Sequence, residues 1–515
     1  MIALEKKKPS NSEQGFALII ALLTLLLISA ALMGMFIMSN TETNVSANFR
    51  DEQTAYFASK GGIEEARDRM RATATNTLSP KTTLANALPG QPNGILYVTN
   101  PAAGETDTPW VTTGTNYPDD ELCKELTPCG TNLPAGTWTS QSASTSYAAA
   151  PILPWKWVRV MEKINKPSAT SKLMPVNGST GSDITAGYRV CWTGTNEIAT
   201  VAGSCKAANP SYTPVYELTA LAVTPSGSRR MRQYEASQTP FPAIPGAFVF
   251  DGSNPSFNPP NSSAFNVMGN DVAQGPTAGV GCDAGVNQPA LGVYDPFDAT
   301  PAGPIQTAMA GPPNRSGQYT SSTPYVATPA VSDVNSSLSS GYINLTTVDG
   351  LTKFANTIVA AAGANVYPSG AVPTNMGTST APVINVVNGD FTFTGSGAGI
   401  LLVTGQLTLN GNFAYNGLIL AIGEGAITKS GGGNGTVNGA MFAANMYHDN
   451  PGTSGPGAYP AYTNPIALGS SLPPGIPYFG WSGGGSATIQ YDSCWIGNAS
   501  QGLPFTLIAQ RELIY

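Results

Sequence analysis

Residues Phe16–Met38 read FALIIALLTLLLISAALMGMFIM, and the rest of the chain is organised around this run. It holds 23 residues (38 − 16 + 1) and no charge or proline. As an α-helix it is about 35 Å long, enough to cross a bilayer core of about 30 Å. Lys6, Lys7 and Lys8 precede it in a polar leader that ends in Gln14-Gly15. A secretory signal has an apolar core of about 7–15 residues and then a small-residue cleavage site. This run is longer, no A-x-A pattern follows it, and the small residue, Gly15, stands before it. A plain signal anchor is the simplest alternative.

Working outward, Ser39 to Arg71 continues as a helical pattern. Phe49, Tyr56, Ile63 and Met70 recur every seven residues, with Val45 and Ala66 nearby, which predicts one apolar stripe buried by a globular domain. Arg50, Asp51, Glu52, Glu64, Glu65, Arg67 and Asp68 occupy the other faces. Gly61-Gly62 should weaken the helix by about 1 kcal/mol per glycine, so a bend or local fraying is expected there.

The Gly15-Phe16-apolar-helix arrangement resembles a type IV prepilin leader. The resemblance implies cleavage by a membrane prepilin peptidase between Gly15 and Phe16, N-methylation of Phe16, and packing with other pilins through the helix. It also implies a place in the bacterial inner membrane before assembly and on the pilus fibre or cell surface afterwards. The usual pilin glutamate, five residues into the mature chain, is here Ile20. That departure is similar to PilX-type minor pilins and to the tip pseudopilins of type II secretion. Without the carboxylate a neighbour's buried ammonium stays unpaired, which is costly, so a tip or initiating position fits better than the shaft. Segments Ala47 to Asp51 and Ala55 to Ala58 also resemble PilX-type proteins after the membrane helix.

The 515 residues exceed one ordinary domain, and charged residues are only 11% while Gly (57) and Pro (42) abound, which suits β-rich architecture with many turns. The net charge is −7, so there is no general electrostatic pull on nucleic acid. Six cysteines, Cys123, Cys129, Cys191, Cys205, Cys282 and Cys494, allow 15 pairings and suggest disulfides in an oxidising compartment. Sequence proximity favours Cys123–Cys129 and Cys191–Cys205, leaving Cys282–Cys494; free buried thiols are the alternative. No C-x2-C spacing occurs and His448 is the single histidine, a poor basis for a zinc site.

The expected fold class is α+β. Residues 1–15 form the leader and 16–75 the transmembrane and amphipathic helix. An antiparallel pilin-like sheet follows over 76–240, with strands at Ile95 to Val98, Trp155 to Val160, Tyr188 to Trp192 and Val215 to Val223. Segment 215–236 reads as a hairpin about Pro225-Ser226-Gly227-Ser228. Three prolines in 240–245 mark a boundary, and 241–515 is expected to be a mainly β module. Within it 272–342 reads as extended loops, and Val348 to Ala362 as a helix stopped by Gly363. Gly399, Gly405, Gly411, Gly417 and Gly423 lie six apart, which suggests coils of a short β-solenoid around 383–441; a meander of short hairpins is the alternative. Ala487 to Trp495 and Phe505 to Tyr515 read as strands, the latter pairing with an open solenoid edge.

A β-helix invites comparison with carbohydrate-active enzymes, which need paired carboxylates or a metal with a base on one face. Asp390 and Glu424 are the only acids between Val383 and Met441, and Lys429 the only base. His448-Asp449 sits on a Gly/Asn/Pro-rich segment, and Asp295 and Asp298 lack a full calcium ligand set. No P-loop, H-E-x-x-H or G-x-S-x-G occurs. No catalytic residue, metal or cofactor is therefore expected. The reading is a minor, PilX-like type IV pilin that presents an adhesion or interaction module, its aromatic-bearing loops facing a surface or glycan target. The alternatives are a type II secretion tip pseudopilin and a membrane-anchored carbohydrate-active enzyme.

Overall fold

The computed structural model describes residues 11–71, 78, 94–102, 104–111, 116–125, 138–142, 153–165, 188–200, 205, 212–239, 241–275, 286–311, 313–339, 343–446, 473–500 and 502–513. Helix α1 runs unbroken over Asn11–Arg69. Its hydroxyl side chains bond back into the helix, as in Thr24 Oγ1 donating to the Ile20 carbonyl at 2.9 Å, so a polar group costs little in an apolar run.

Where α1 meets the first sheet, the buried stripe is not the expected heptad of large residues. Ile63 and Met70 are buried, but Phe49 is 61% exposed and Tyr56 37% exposed. Ala55, Ala58, Gly62 and Ala66 complete the buried face. Helical structure also continues without a break through Gly61-Gly62. A Cβ on Gly62 would sit 2.9 Å from the Trp155 ring. Small residues thus let the helix backbone lie close on the sheet, and that packing offsets the low helix propensity of glycine.

The first sheet contains β1 (Ile95–Thr99), β2 (Trp138–Ser142), β3 (Trp155–Glu162), β4 (Arg189–Trp192), β5 (Glu197–Thr200), β6 (Thr213–Val223) and β7 (Arg229–Gln238). Its spatial order is β2-β1-β3-β6, with β7 on the far side of β6 and β4–β5 joined at the start of β6. All pairs are antiparallel except β1–β2. The β6–β7 hairpin forms where its turn residues predict it. Gly227 takes φ 90°, and Thr224 N donates to Ser228 O at 2.9 Å. One face of the sheet packs Leu218, Ala220 and Ala222 against α1, and the other packs Trp157, Leu221 and Met231.

The second sheet has 14 strands. They are β8 (Phe248–Asp251), β9 (Ser256–Asn258), β10 (Phe265–Met268), β11 (Leu291–Val293), β12 (Tyr319–Thr320), β13 (Val331–Asp333), β14 (Val366–Pro368), β15 (Val383–Asn388), β16 (Phe391–Val403), β17 (Gln406–Gly423), β18 (Ala426–Ser430), β19 (Asn434–Asn445), β20 (Tyr478–Trp481) and β21 (Ser486–Tyr491). Every pairing between named strands in it is parallel. The helix Val348–Ala362 forms as expected, capped by Thr347 and ended by Gly363 at φ 57°.

Three expectations need correction here. The sheet bends as a half-barrel, and the short solenoid around 383–441 does not form as a unit of its own. The six-residue glycine spacing is not its structural repeat. Register partners Gly399, Gly417 and Gly439 stand 18 and 22 residues apart, with φ 124°, 131° and 138°. A Cβ on each would press into the backbone of the neighbouring strand. Segment 272–342 is not all loop, since it contains β11, β12, β13 and the helix Pro304–Ala310.

The tail differs most. Where one strand is expected from Ala487 to Trp495, β21 ends at Tyr491 and Ser493–Ser500 is helical. The last strand, β22 (Phe505–Leu513), pairs antiparallel with β7 of the first sheet, not with the second. The described part of 241–500 is therefore inserted between two neighbouring strands. Its two ends meet where Thr239 N donates to Pro504 O at 3.2 Å and Gln238 Nε2 to Ser500 O at 2.6 Å.

Candidate interaction surfaces

Among the described residues, α1 is the one helix long and apolar enough to cross a membrane. Every described side chain from Phe16 to Met38 is exposed. Gly15 lies inside the helix, Phe16 is 67% exposed and Ile20 48% exposed. Apolar exposure continues past the lipid-length run in Val45, Phe49 and Phe57. The exposed apolar run and the sheet-docked segment thus belong to one continuous helix.

The face of the first sheet opposite α1 carries a buried ionic network that no periodicity or motif announces. Arg159 of β3 donates to Asp119 and Glu121, at 2.6 Å each, and to Thr219 Oγ1 at 3.2 Å. The Tyr97 hydroxyl donates to the same Asp119 oxygen at 2.9 Å. Lys163 reaches Glu197 and Glu235 at 2.7 Å each. Arg511 of β22 joins the row through Gln233, at 2.6 Å. Glu217 stands fully buried in this row, and neither of its carboxylate oxygens has a hydrogen-bond partner. Burial pushes its carboxyl up to about 7, the charge of Glu235 adds to this, and Lys163, Arg159 and Arg511 oppose it. Burial likewise raises Glu162 to about 7 against the pull of Arg189. On β6, strand alternation puts Glu217 and Thr219 on the same side as Leu221, but it does not name their partners.

Inside the second sheet, Lys429 is buried over the Trp481 ring, 5.4 Å from its centroid. Its ammonium donates to the carbonyls of Ser430 and Gly431, at 3.2 Å each. Burial lowers its pKa. Asp390 is occupied by the Gln406 amide at 2.9 Å, and Glu424 is buried. Asp295 caps the turn at Phe297 N and Asp298 accepts from Asn254 N, both at 2.9 Å. Those two aspartates therefore do local structural work. Among the described residues no group of three or more His, Cys, Asp or Glu side chains could hold a metal ion. His448-Asp449 lies outside the described residues.

Cys191 and Cys205 form a disulfide with Cα atoms 5.6 Å apart. Cys494 is also disulfide-bonded. Cys123 lies on the short helix Asp120–Glu125, and Cys129 and Cys282 lie outside the described residues. Among the described residues no cysteine is free. No family model, curated protein or solved structure matches this chain.

Proposed function

We propose that the chain is a minor type IV pilin of the PilX kind, built into or priming a fibre near its tip and presenting the inserted β-rich region to the outside. The observation that carries this reading is the construction of α1. One unbroken helix carries an exposed apolar run of membrane length directly after Gly15, then docks by small residues onto an antiparallel sheet. A helix of this kind serves two environments in turn. It lies in lipid before assembly, and among other helices afterwards, where exposed Phe49 and Phe57 add contact beyond the lipid-length segment. Ile20 provides no carboxylate for a neighbour's terminal amine, which favours few copies per fibre. The root at Thr239 and Pro504 fits a presented module, since both ends of the insertion emerge together. The action is assembly and contact.

Mass spectrometry of the protein from its native membrane tests the reading. The expected chain begins at Phe16 with a methylated amine, and Gly15→Val leaves the full-length precursor. A chain that retains Met1, or that begins beyond Met38, would overturn it. Loss of filaments on deletion supports a pilin, whereas loss of protein secretion with filaments intact would assign the chain to a type II secretion tip complex.

A further inference from the structure

The outer face of the second sheet has the chemistry of a sugar-binding surface. Register places Thr392, Thr408, Thr428 and Gly480 in one row across β16, β17, β18 and β20. Gln406 and Tyr478 stand two residues earlier on their strands, on the same face, because side chains alternate along a strand. The row repeats once per strand, about every 4.8 Å. Its polar groups are held in fixed directions. The Thr408 and Thr428 hydroxyls lie 3.0 Å apart, and Gln406 Nε2 donates to Thr428 Oγ1 at 3.1 Å.

Tyr478 completes the surface. A methyl built on Gly480 would come within 2.8 Å of Tyr478 Cζ and 2.9 Å of Cε1. The ring therefore lies flat along its strand over bare backbone, next to Thr428 in the adjoining strand. Any larger residue at position 480 would push the ring off the sheet. The result is an aromatic plate level with a hydroxyl and amide ladder.

Charge decides which ligand suits such a face. Exposed strands ordinarily carry charged residues, which keep sheets soluble and unpaired. The one charged residue on these four strands is Lys429, and it is buried. A neutral, polyhydroxylated polymer matches this surface. Its hydroxyls exchange hydrogen bonds with the Thr and Gln side chains, and the apolar face of a sugar ring stacks on Tyr478. A row that continues from strand to strand without a closed pocket suits several linked rings better than a single sugar.

We propose that this face binds a neutral polysaccharide, with Tyr478 stacking on one ring and the Gln406–Thr408–Thr428 ladder bonding its neighbours. The inference names the partner of the presented module and rests on the proposed function for access to an external polymer. The test is calorimetric titration of the full chain in detergent micelles with cellohexaose and chitohexaose, and with an acidic galacturonate hexamer as control. Binding of a neutral hexamer is expected, weakened about tenfold or more by Tyr478→Ala and retained by Tyr478→Phe, with both variants melting as the wild type does. Thr408→Val should weaken it as well. Failure of both neutral hexamers to bind, preference for the acidic one, or full affinity in Tyr478→Ala would overturn the proposal. A chain that is cut at Gly15 and enters filaments but binds neither neutral hexamer refutes this surface alone. A chain that binds one of them but keeps its leader refutes the pilin reading alone.

Discussion

Replacing Glu217 by glutamine should make the protein more stable at neutral and alkaline pH. The carboxyl is fully buried, neither oxygen has a hydrogen-bond partner, and burial lifts it from 4.5 to about 7. Below about pH 4.5 the folded and unfolded chains both hold the proton, and the group costs nothing. Between pH 4.5 and 7 the unfolded chain ionises first, so stability falls as the pH rises. Above pH 7 the penalty is complete. At about 1.4 kcal/mol per tenfold it is roughly 3 kcal/mol, a net figure in which the opposing pull of Lys163, Arg159 and Arg511 is already included. Glu217→Gln keeps the shape and cannot ionise. The variant and the wild type should therefore match near pH 4.5 and diverge towards pH 8, with the variant ahead by about 1–3 kcal/mol. Glu162 and Asp107 are also raised, to about 7 and about 8, and add slopes of their own. The quantity to read is thus the difference between the two proteins, from urea unfolding in micelles followed by tryptophan fluorescence. A variant less stable than the wild type at pH 8 would refute the reasoning, because attraction to Lys163, Arg159 and Arg511 would then outweigh burial.

Gly62→Ala should destabilise the chain by about 1–2 kcal/mol despite its gain in helix propensity, because the new methyl meets the Trp155 ring at 2.9 Å. Gly61→Ala meets only the end of exposed Leu153 and should be neutral or stabilising; thermal melts compare the two. Cys191→Ser with Cys205→Ser opens a loop of 14 residues and should cost about 3 kcal/mol in denaturant titrations, with no change on adding reductant. Arg159→Met strands Asp119 and Glu121 without their cation and should cost about 3–5 kcal/mol, seen as faster amide exchange in β1, β3 and β6.

Much of the frame was legible because it rests on local rules. The apolar run, the β6–β7 turn and the helix stopped by Gly363 each depend on residues within a few positions of one another. The buried stripe of α1 departs from heptad counting, which rewards large side chains, because close docking on the sheet rewards small ones. The six-residue glycine spacing does not give the repeat, because parallel pairing is set by register between distant strands, which spacing along one strand does not encode. The Tyr478 surface was invisible for the same reason. Thr392, Thr408, Thr428 and Gly480 are scattered over 89 positions (480 − 392 + 1) and become a row only through strand register.

By itself, then, the sequence determined a membrane-length helix after Gly15, an α+β plan, a turn at Gly227 and a second β-rich region after a proline cluster. These follow from hydrophobic transfer and backbone sterics, which act residue by residue. Tertiary structure alone decided that the last strand returns to β7, which makes 241–500 an insertion and not a tail. It also decided that Arg159, Lys163 and Glu217 lie buried together, and that Tyr478 rests flat over Gly480. In each case the deciding contact joins groups far apart in the chain, where loop-closure entropy is repaid only once many such contacts form together.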